Sequence, residues 1–296
     1  MGSVHVFLTM GGWWQPTTMM LCLLLGLLGA VTATYNETLA LRDLYVSQAT
    51  MCDAKTLENW TCGDACANVS LASPRVVVNA SSDALALVAR TADGCLLAFR
   101  GSATPLNYLE DATFFPASPY PACEGCAVHS GFHDTWRSVA PAVAAEIADL
   151  GCARLEILGH SLGGAMAALA AFELAATIDV ARVSTYGQPR VGNAAWAAAF
   201  AALELDYARV VLYKDAVPHL PMDDMFWEGW THAMPEVYYN ATAPGAYRAC
   251  DDAADARCSY GWNLVETLLH TCDHCSYLGM NPCECATRPP NCAEPR

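Results

Sequence analysis

From residue 74 onward, short apolar runs alternate with longer stretches whose apolar residues recur at helical spacing. Val76-Val77-Val78 and 84–89 read as short strands, and 95–99 as a strand apolar enough to be buried on both faces. Thr91-Ala92-Asp93-Gly94 is a turn cluster between the last two. Segments 154–158, 180–186 and 210–213 read as further strands. Between them, 132–150, 163–178 and 194–203 read as helices, and Pro141 predicts a kink or early break in the first. This repeated strand–helix order predicts an α/β fold with a largely parallel central sheet and helices on both faces. No internal repeat and no linker between domains is visible.

Residues 1–33 follow a different pattern. They contain no Asp, Glu, Lys or Arg, and 19–31 is almost wholly apolar. Small residues at Val31 and Ala33 then fit a leader-peptidase site, so 1–33 reads as a secretory signal peptide. The apolar run is short for a bilayer span, which needs about 20 residues. No basic residue precedes it, which keeps an uncleaved signal-anchor as the rival reading. The expected organisation is a signal peptide at 1–33, one domain over 34–280, and a tail over 281–296 with four prolines and three cysteines.

Composition sharpens this picture. The 15 cysteines point to an oxidising compartment. Removal of the leader takes Cys22 with it and leaves an even number, as full disulfide pairing requires. Five N-x-S/T sequons begin at Asn36, Asn59, Asn68, Asn79 and Asn240. With 30 acidic against 15 basic residues the net charge is −15, which argues against nucleic-acid binding. The same charge disfavours adsorption to anionic bilayers and favours neutral or zwitterionic interfaces.

The sharpest local feature is Gly159-His160-Ser161-Leu162-Gly163-Gly164. It matches G-x-S-x-G between a strand and a small-residue helix, the setting of a nucleophile elbow. So tight a turn strains Ser161 and leaves its hydroxyl at the sheet edge. Glycines at 159 and 163 let strand and helix approach. The helix N-terminus adds positive potential where an oxyanion forms. The spacing is wrong for a phosphate loop, and no Lys follows.

A nucleophilic serine needs a base and a group that orients it, in the chain order serine, acid, histidine. Asp215 follows an apolar strand, whereas Asp223 and Asp224 sit beyond Pro221, away from any strand end. Among the histidines, His129 and His133 precede the elbow, His160 adjoins the serine, His219 lies close after the acid, and His232 sits in an aromatic segment. His270 and His274 remain, the first ending an apolar helical stretch and the second in the loop after it. Cys272, Cys275, Cys283 and Cys285 have spacing that admits zinc, but an oxidising compartment favours disulfides. Cys123-Glu124-Gly125-Cys126 resembles a redox pair without a thioredoxin-like context.

Several motifs in order carry a family resemblance. They are Phe99-Arg100-Gly101-Ser102, Val128-His129-Ser130-Gly131-Phe132, the elbow, Tyr186-Gly187-Gln188-Pro189-Arg190-Val191-Gly192-Asn193, Asp215-x-Val217-Pro218 and Asp273-His274-x-Ser276-Tyr277. Over roughly 52–285 the chain resembles the fungal-type class 3 lipases. The resemblance implies an α/β-hydrolase fold, disulfide-stapled, with Ser161, Asp215 and His274 as catalytic triad. It favours His274 over His270. It further implies an oxyanion hole from Ser102 and the Leu162 N–H, with Asp111 orienting the Ser102 hydroxyl. A lid over 104–115 would present Leu106, Tyr108 and Leu109, between the site and a lipid–water interface. Met222, Met225, Phe226, Trp227 and Trp230 form a second apolar cluster that fits either an acyl pocket or core.

The expected function is therefore a secreted serine ester hydrolase acting on acylglycerols, with lipid or other esters as substrate and no metal or organic cofactor. Phospholipid, galactolipid and feruloyl esters are alternative substrates for the same site. An inactive lipase-like binding protein is the alternative of another class. The resemblance suggests disulfides Cys62–Cys66, Cys250–Cys258 and Cys52 to a C-terminal cysteine. Cys123–Cys126 and Cys95–Cys152 are expected from proximity in that fold.

Overall fold

The computed structural model describes residues 35–102, 115–223 and 229–285. The expected leader over 1–33, the lid residues Leu106, Tyr108 and Leu109, Asp111, and 286–296 of the tail lie outside the described residues.

The chain enters through three helices that the strand–helix pattern did not announce, α1 (Glu37–Thr50), α2 (Ala54–Glu58) and α3 (Asp64–Ala67). Asn36 and Asp53 cap the first two by accepting from Leu39 N and Thr56 N. Strands β1 (Ala72–Asn79), β2 (Ala84–Arg90) and β3 (Cys95–Phe99) follow as an antiparallel meander. After the short β4 (Pro116–Ala117) and β5 (Val128–His129) comes α4 (Ser130–Asp149). Next are β6 (Arg154–His160), α5 (Leu162–Leu174), β7 (Asp179–Tyr186), β8 (Gly192–Asn193), α6 (Ala194–Ala201) and β9 (Tyr207–Leu212). The described chain ends with β10 (Trp230–Thr231), β11 (Glu236–Tyr239), β12 (Tyr247–Cys250), α7 (Leu264–Leu268) and two 3₁₀ turns, Thr271–Cys275 and Tyr277–Gly279.

The main sheet has the order β1-β2-β3-β6-β7-β9-β11-β12. Its five central strands, β3 to β11, are parallel, and the edges are closed by antiparallel partners. A second sheet, β10-β8-β5-β4, is antiparallel throughout and was not legible from two-residue segments. Strand alternation divides the core in two. Leu97, Phe99, Ile157 and Val183 face α4, α5 and α6. Leu96, Ala98 and Leu158 face the N-terminal helices.

Helix α4 corrects the expectation at Pro141, because it runs without interruption through that residue. Pro141 and Arg137, whose carbonyl loses its donor, both lie on the exposed face, so water can satisfy the freed group.

A charge cluster fastens α1 to the sheet. Asp43, fully buried, receives Arg182 Nη1 and Nη2 at 2.6 and 3.1 Å, and Arg42 Nη2 at 2.7 Å. Both arginines also meet Glu156. Six disulfides occur among the described residues: Cys52–Cys285, Cys62–Cys66, Cys95–Cys152, Cys123–Cys126, Cys250–Cys258 and Cys275–Cys283. Cys272 is disulfide-bonded as well, so none of the four cysteines around and after His274 offers a free thiolate to zinc.

Candidate active site

The elbow forms where β6 meets α5. Ser161 occupies φ 58°, ψ −128°, a strained conformation for a residue with a Cβ. The neighbouring glycines are sterically required: a Cβ on Gly159 would stand 2.2 Å from Gly163 O, and one on Gly163 2.3 Å from Phe99 O. The apolar β3 and β6 are adjacent and parallel, pairing Phe99 with Gly159, so both strands deliver their following residues to one edge.

That edge collects the other sequence-predicted residues. Gly101 packs on the elbow, where an added Cβ would lie 3.4 Å from Ser161 Cβ. Ser102 follows it, half-buried. Leu162 opens α5, so its N–H belongs to the first turn, whose donors lack intrahelical acceptors. Asp215 lies just past the end of β9, its N–H donating to Leu212 O at 2.9 Å. The 3₁₀ turn Thr271–Cys275 carries His274 over it, with His274 Nδ1 at 2.9 Å from both Asp215 oxygens.

The acid is buried completely and held on every side. Val217 N donates to Asp215 Oδ1 at 2.9 Å, and the Tyr277 hydroxyl donates to Oδ2 at 2.5 Å. Burial opposes the carboxylate, but the His274 imidazole, the Tyr277 hydroxyl and the Val217 N–H hold its pKa below the usual range. Burial and the adjacent carboxylate keep the Tyr277 hydroxyl protonated, well above the ordinary phenol value. His274 is 2% exposed, and its Nε2 has no hydrogen-bond partner among the described residues. The imidazole is thus oriented through Nδ1, with the opposite nitrogen available as a proton acceptor.

Two residues escaped sequence reasoning. Tyr277 stood in a quoted motif without a role, and the structure makes it a donor to the acid. Gly187, at φ 55°, lies against the pair: a Cβ there would be 2.7 Å from Asp215 Oδ2 and 2.9 Å from His274 Cε1 and Nδ1. In sequence it stood only within the quoted Tyr186–Asn193 motif, without a role.

The other histidines are placed elsewhere. His160 lies beside His274 with ring centroids 4.4 Å apart and the planes tilted by 36°, and its Nε2 donates to His274 O at 2.8 Å. Burial, reinforced by His274, pushes its pKa down to about 3. His129 caps α4 through Nδ1, accepting from Phe132 N. His270 faces Asp273 rather than Asp215. His232 Nε2 donates to Pro218 O at 2.7 Å. Asp223 is exposed. Of the second apolar cluster, Trp230 is buried in the core of the small sheet, Met222 is exposed, and 225–227 lie outside the described residues.

A family model described as lipase (class 3) matches residues 96–225. A lipase of Rhizomucor miehei is 34% identical over 195 residues, covering 62% of this chain and 52% of the relative. Secreted mono- and diacylglycerol lipase A of Penicillium cyclopium is 36% identical over 156 residues, covering 51% and 50%. The chain spans about half the length of these curated relatives. The solved structure of Rhizomucor miehei triacylglyceride lipase superposes with a TM-score of 0.71 at 28% identity, covering 86% of this chain and 98% of that one. The α/β-hydrolase expectation is therefore met by solved structure as well as by topology.

Proposed function

From the match of residues 96–225 to the lipase (class 3) family model and the fold shared with Rhizomucor miehei lipase, we propose that the chain is a fungal-type class 3 lipase that hydrolyses the carboxylic esters of acylglycerols, with Ser161 as nucleophile, His274 as general base and Asp215 as the orienting acid. The observation that carries this reading is the buried Asp215–His274 pair, whose free Nε2 stands at the same sheet edge as the elbow serine. In the acylation step, Ser161 Oγ attacks the ester carbonyl as His274 Nε2 takes its proton. Charge that develops on the carbonyl oxygen is met by the Leu162 N–H and by Ser102. Losing one such donor costs about 10²–10³ in turnover. His274 then protonates the departing alcohol, and the acyl group rests on Ser161 until water, deprotonated by the same nitrogen, releases it. Asp215 stays ionised throughout, because its three donors favour the carboxylate.

The same reading places the protein outside the cell at a neutral or zwitterionic lipid–water surface, consistent with its net charge of −15. Residues 1–33 serve as the exported leader. The reading also takes Leu106, Tyr108 and Leu109 as lid residues and Asp111 as the support of Ser102, all four outside the described residues. Among the described residues no helix is long and apolar enough to cross a membrane.

Release of fatty acid from emulsified acylglycerol by the wild type, and its loss in Ser161→Ala, is the expected result. A folded wild type that releases fatty acid from neither emulsified acylglycerol nor soluble esters would overturn the proposal. Preference for phospholipid or galactolipid over acylglycerol would overturn the substrate class alone.

A further inference from the structure

Asn240 begins the sequon Asn240-Ala241-Thr242 and lies immediately after β11, exposed, beside a cleft of 540 Å³. Tyr213, Tyr238, Tyr247, Trp262, Arg248 and Arg257 line that cleft. Its rings are fixed. Trp262 Nε1 donates to the Tyr238 hydroxyl at 2.8 Å, Tyr213 meets Trp262 edge-on at 5.4 Å, and Lys214 Nζ sits 4.1 Å from the Trp262 ring centre. Rigid aromatic walls with a few polar donors suit a ligand with apolar C–H faces and hydroxyl edges, which describes a sugar.

Two observations single out this sequon. The first concerns the asparagine. The amide nitrogens of Asn59, Asn68 and Asn79 already donate to Lys55 O, Asp64 O and Ser138 O. Asn36 is engaged through Oδ1, which accepts from Leu39 N to cap α1, whereas Asn240 makes no side-chain hydrogen bond among the described residues. The second concerns the threonine. Thr242 is 8% exposed, and its Oγ1 has no hydrogen-bond partner among the described residues. A buried, unpaired hydroxyl weakens the folded state, and valine would fill the same space without that cost. A threonine hydroxyl is required where the sequon is recognised on the nascent chain.

We propose that Asn240 carries an N-linked glycan whose first sugars lie in this aromatic cleft. In the transfer, the Asn240 amide nitrogen attacks C1 of N-acetylglucosamine on a polyprenyl-pyrophosphate oligosaccharide. The C–N bond forms, the C1–O bond to pyrophosphate breaks, the amide loses one proton and the lipid pyrophosphate leaves. The sugar then packs against Tyr247, which is 40% exposed, and presents its hydroxyls to Arg248 and Arg257.

The test uses the full chain, expressed through the secretory route of a yeast and recovered from both medium and lumen. Peptide mapping after peptide-N-glycosidase treatment in ¹⁸O-water marks each asparagine that carried a glycan. Asn240 is expected to be modified, Thr242→Val to lose only that glycan, and Thr242→Ser to keep it. Tyr247→Ser is expected to keep occupancy but to speed native endoglycosidase trimming at Asn240 about 3- to 10-fold. Unmodified Asn240 overturns the site. Trimming at Asn240 that Tyr247→Ser leaves unchanged overturns the cradle. Ester hydrolysis by Thr242→Val is expected at the wild-type rate, so failure here is separable from failure of the catalytic proposal.

Discussion

Substituting Gly187 by alanine asks how tightly the acid–histidine pair is held. The added Cβ would stand 2.7 Å from Asp215 Oδ2 and 2.9 Å from His274 Cε1 and Nδ1, where ordinary contact begins near 3.4 Å. Relief therefore requires a shift of about half an ångström or more. Asp215 cannot retreat without breaking its bonds from Val217 N and the Tyr277 hydroxyl, so the imidazole moves instead. A displacement near 1 Å at a reacting group costs about 10² in rate. The expected loss in kcat/KM is about 10- to 100-fold, or about 1.4–2.7 kcal/mol of transition-state stabilisation. The left-handed φ of 55° adds about 1–2 kcal/mol of strain, a fall in Tm of about 2–8 °C. Gly63→Ala is the control, because Gly63 has φ 61° and nothing within 4 Å of an added Cβ. It should lower Tm by a similar amount and leave kcat/KM unchanged. The assay is steady-state hydrolysis of a soluble p-nitrophenyl ester, with Tm by circular dichroism. A Gly187→Ala enzyme within twofold of wild type would refute the reasoning.

Three further outcomes follow from the same structure. Tyr277→Phe keeps the buried ring but removes the 2.5 Å donation to Asp215, and should cost about tenfold in kcat/KM; an unchanged value would show that the hydroxyl does not hold the acid. Asp43→Ala leaves Arg182 without its buried partner and should destabilise the fold by about 3–5 kcal/mol in urea titration; a cost below about 1 kcal/mol would contradict that role. Burial lowers His129, His160 and His219 to about 4, 3 and 4, against 6.5 unfolded, so the unfolded chain takes up protons that the folded one refuses. Stability is full above pH 6.5 and should fall as pH drops toward 4, by about 1.4 kcal/mol per pH unit for each proton; a urea midpoint flat from pH 7 to 5 would contradict this.

What the sequence reveals depends on whether a residue's role is local. The elbow is local: its glycines and its strained serine lie within five residues, and the spacing alone exposes them. The parallel sheet is legible for a related reason, since its strands carry short local apolar runs, continuous in β3 and interrupted by single polar residues in β6 and β9. His274 is different. Its partner lies 59 positions away, and the loop pattern left His270 open until the Asp-His-x-Ser-Tyr motif was weighed. Tyr277 and Gly187 act only through that distant contact, so no periodicity marks them. The small sheet escaped because its strands are two residues long. Pro141 misled because the rule against helix-interior proline assumes that the freed carbonyl is costly, and at an exposed face it is not. The N-terminal helices are short or only weakly amphipathic, and α1 buries Asp43 beside its apolar residues, a charge no apolar pattern registers.

The central claim is that Ser161 is a nucleophile activated by His274. Stoichiometric reaction with a fluorophosphonate, followed by peptide mass mapping, tests it most directly. The account predicts one phosphonate per chain, on Ser161, with labelling abolished in Ser161→Ala and slowed by orders of magnitude in His274→Asn. A folded, unlabelled wild type, or a label that remains in Ser161→Ala, would contradict it.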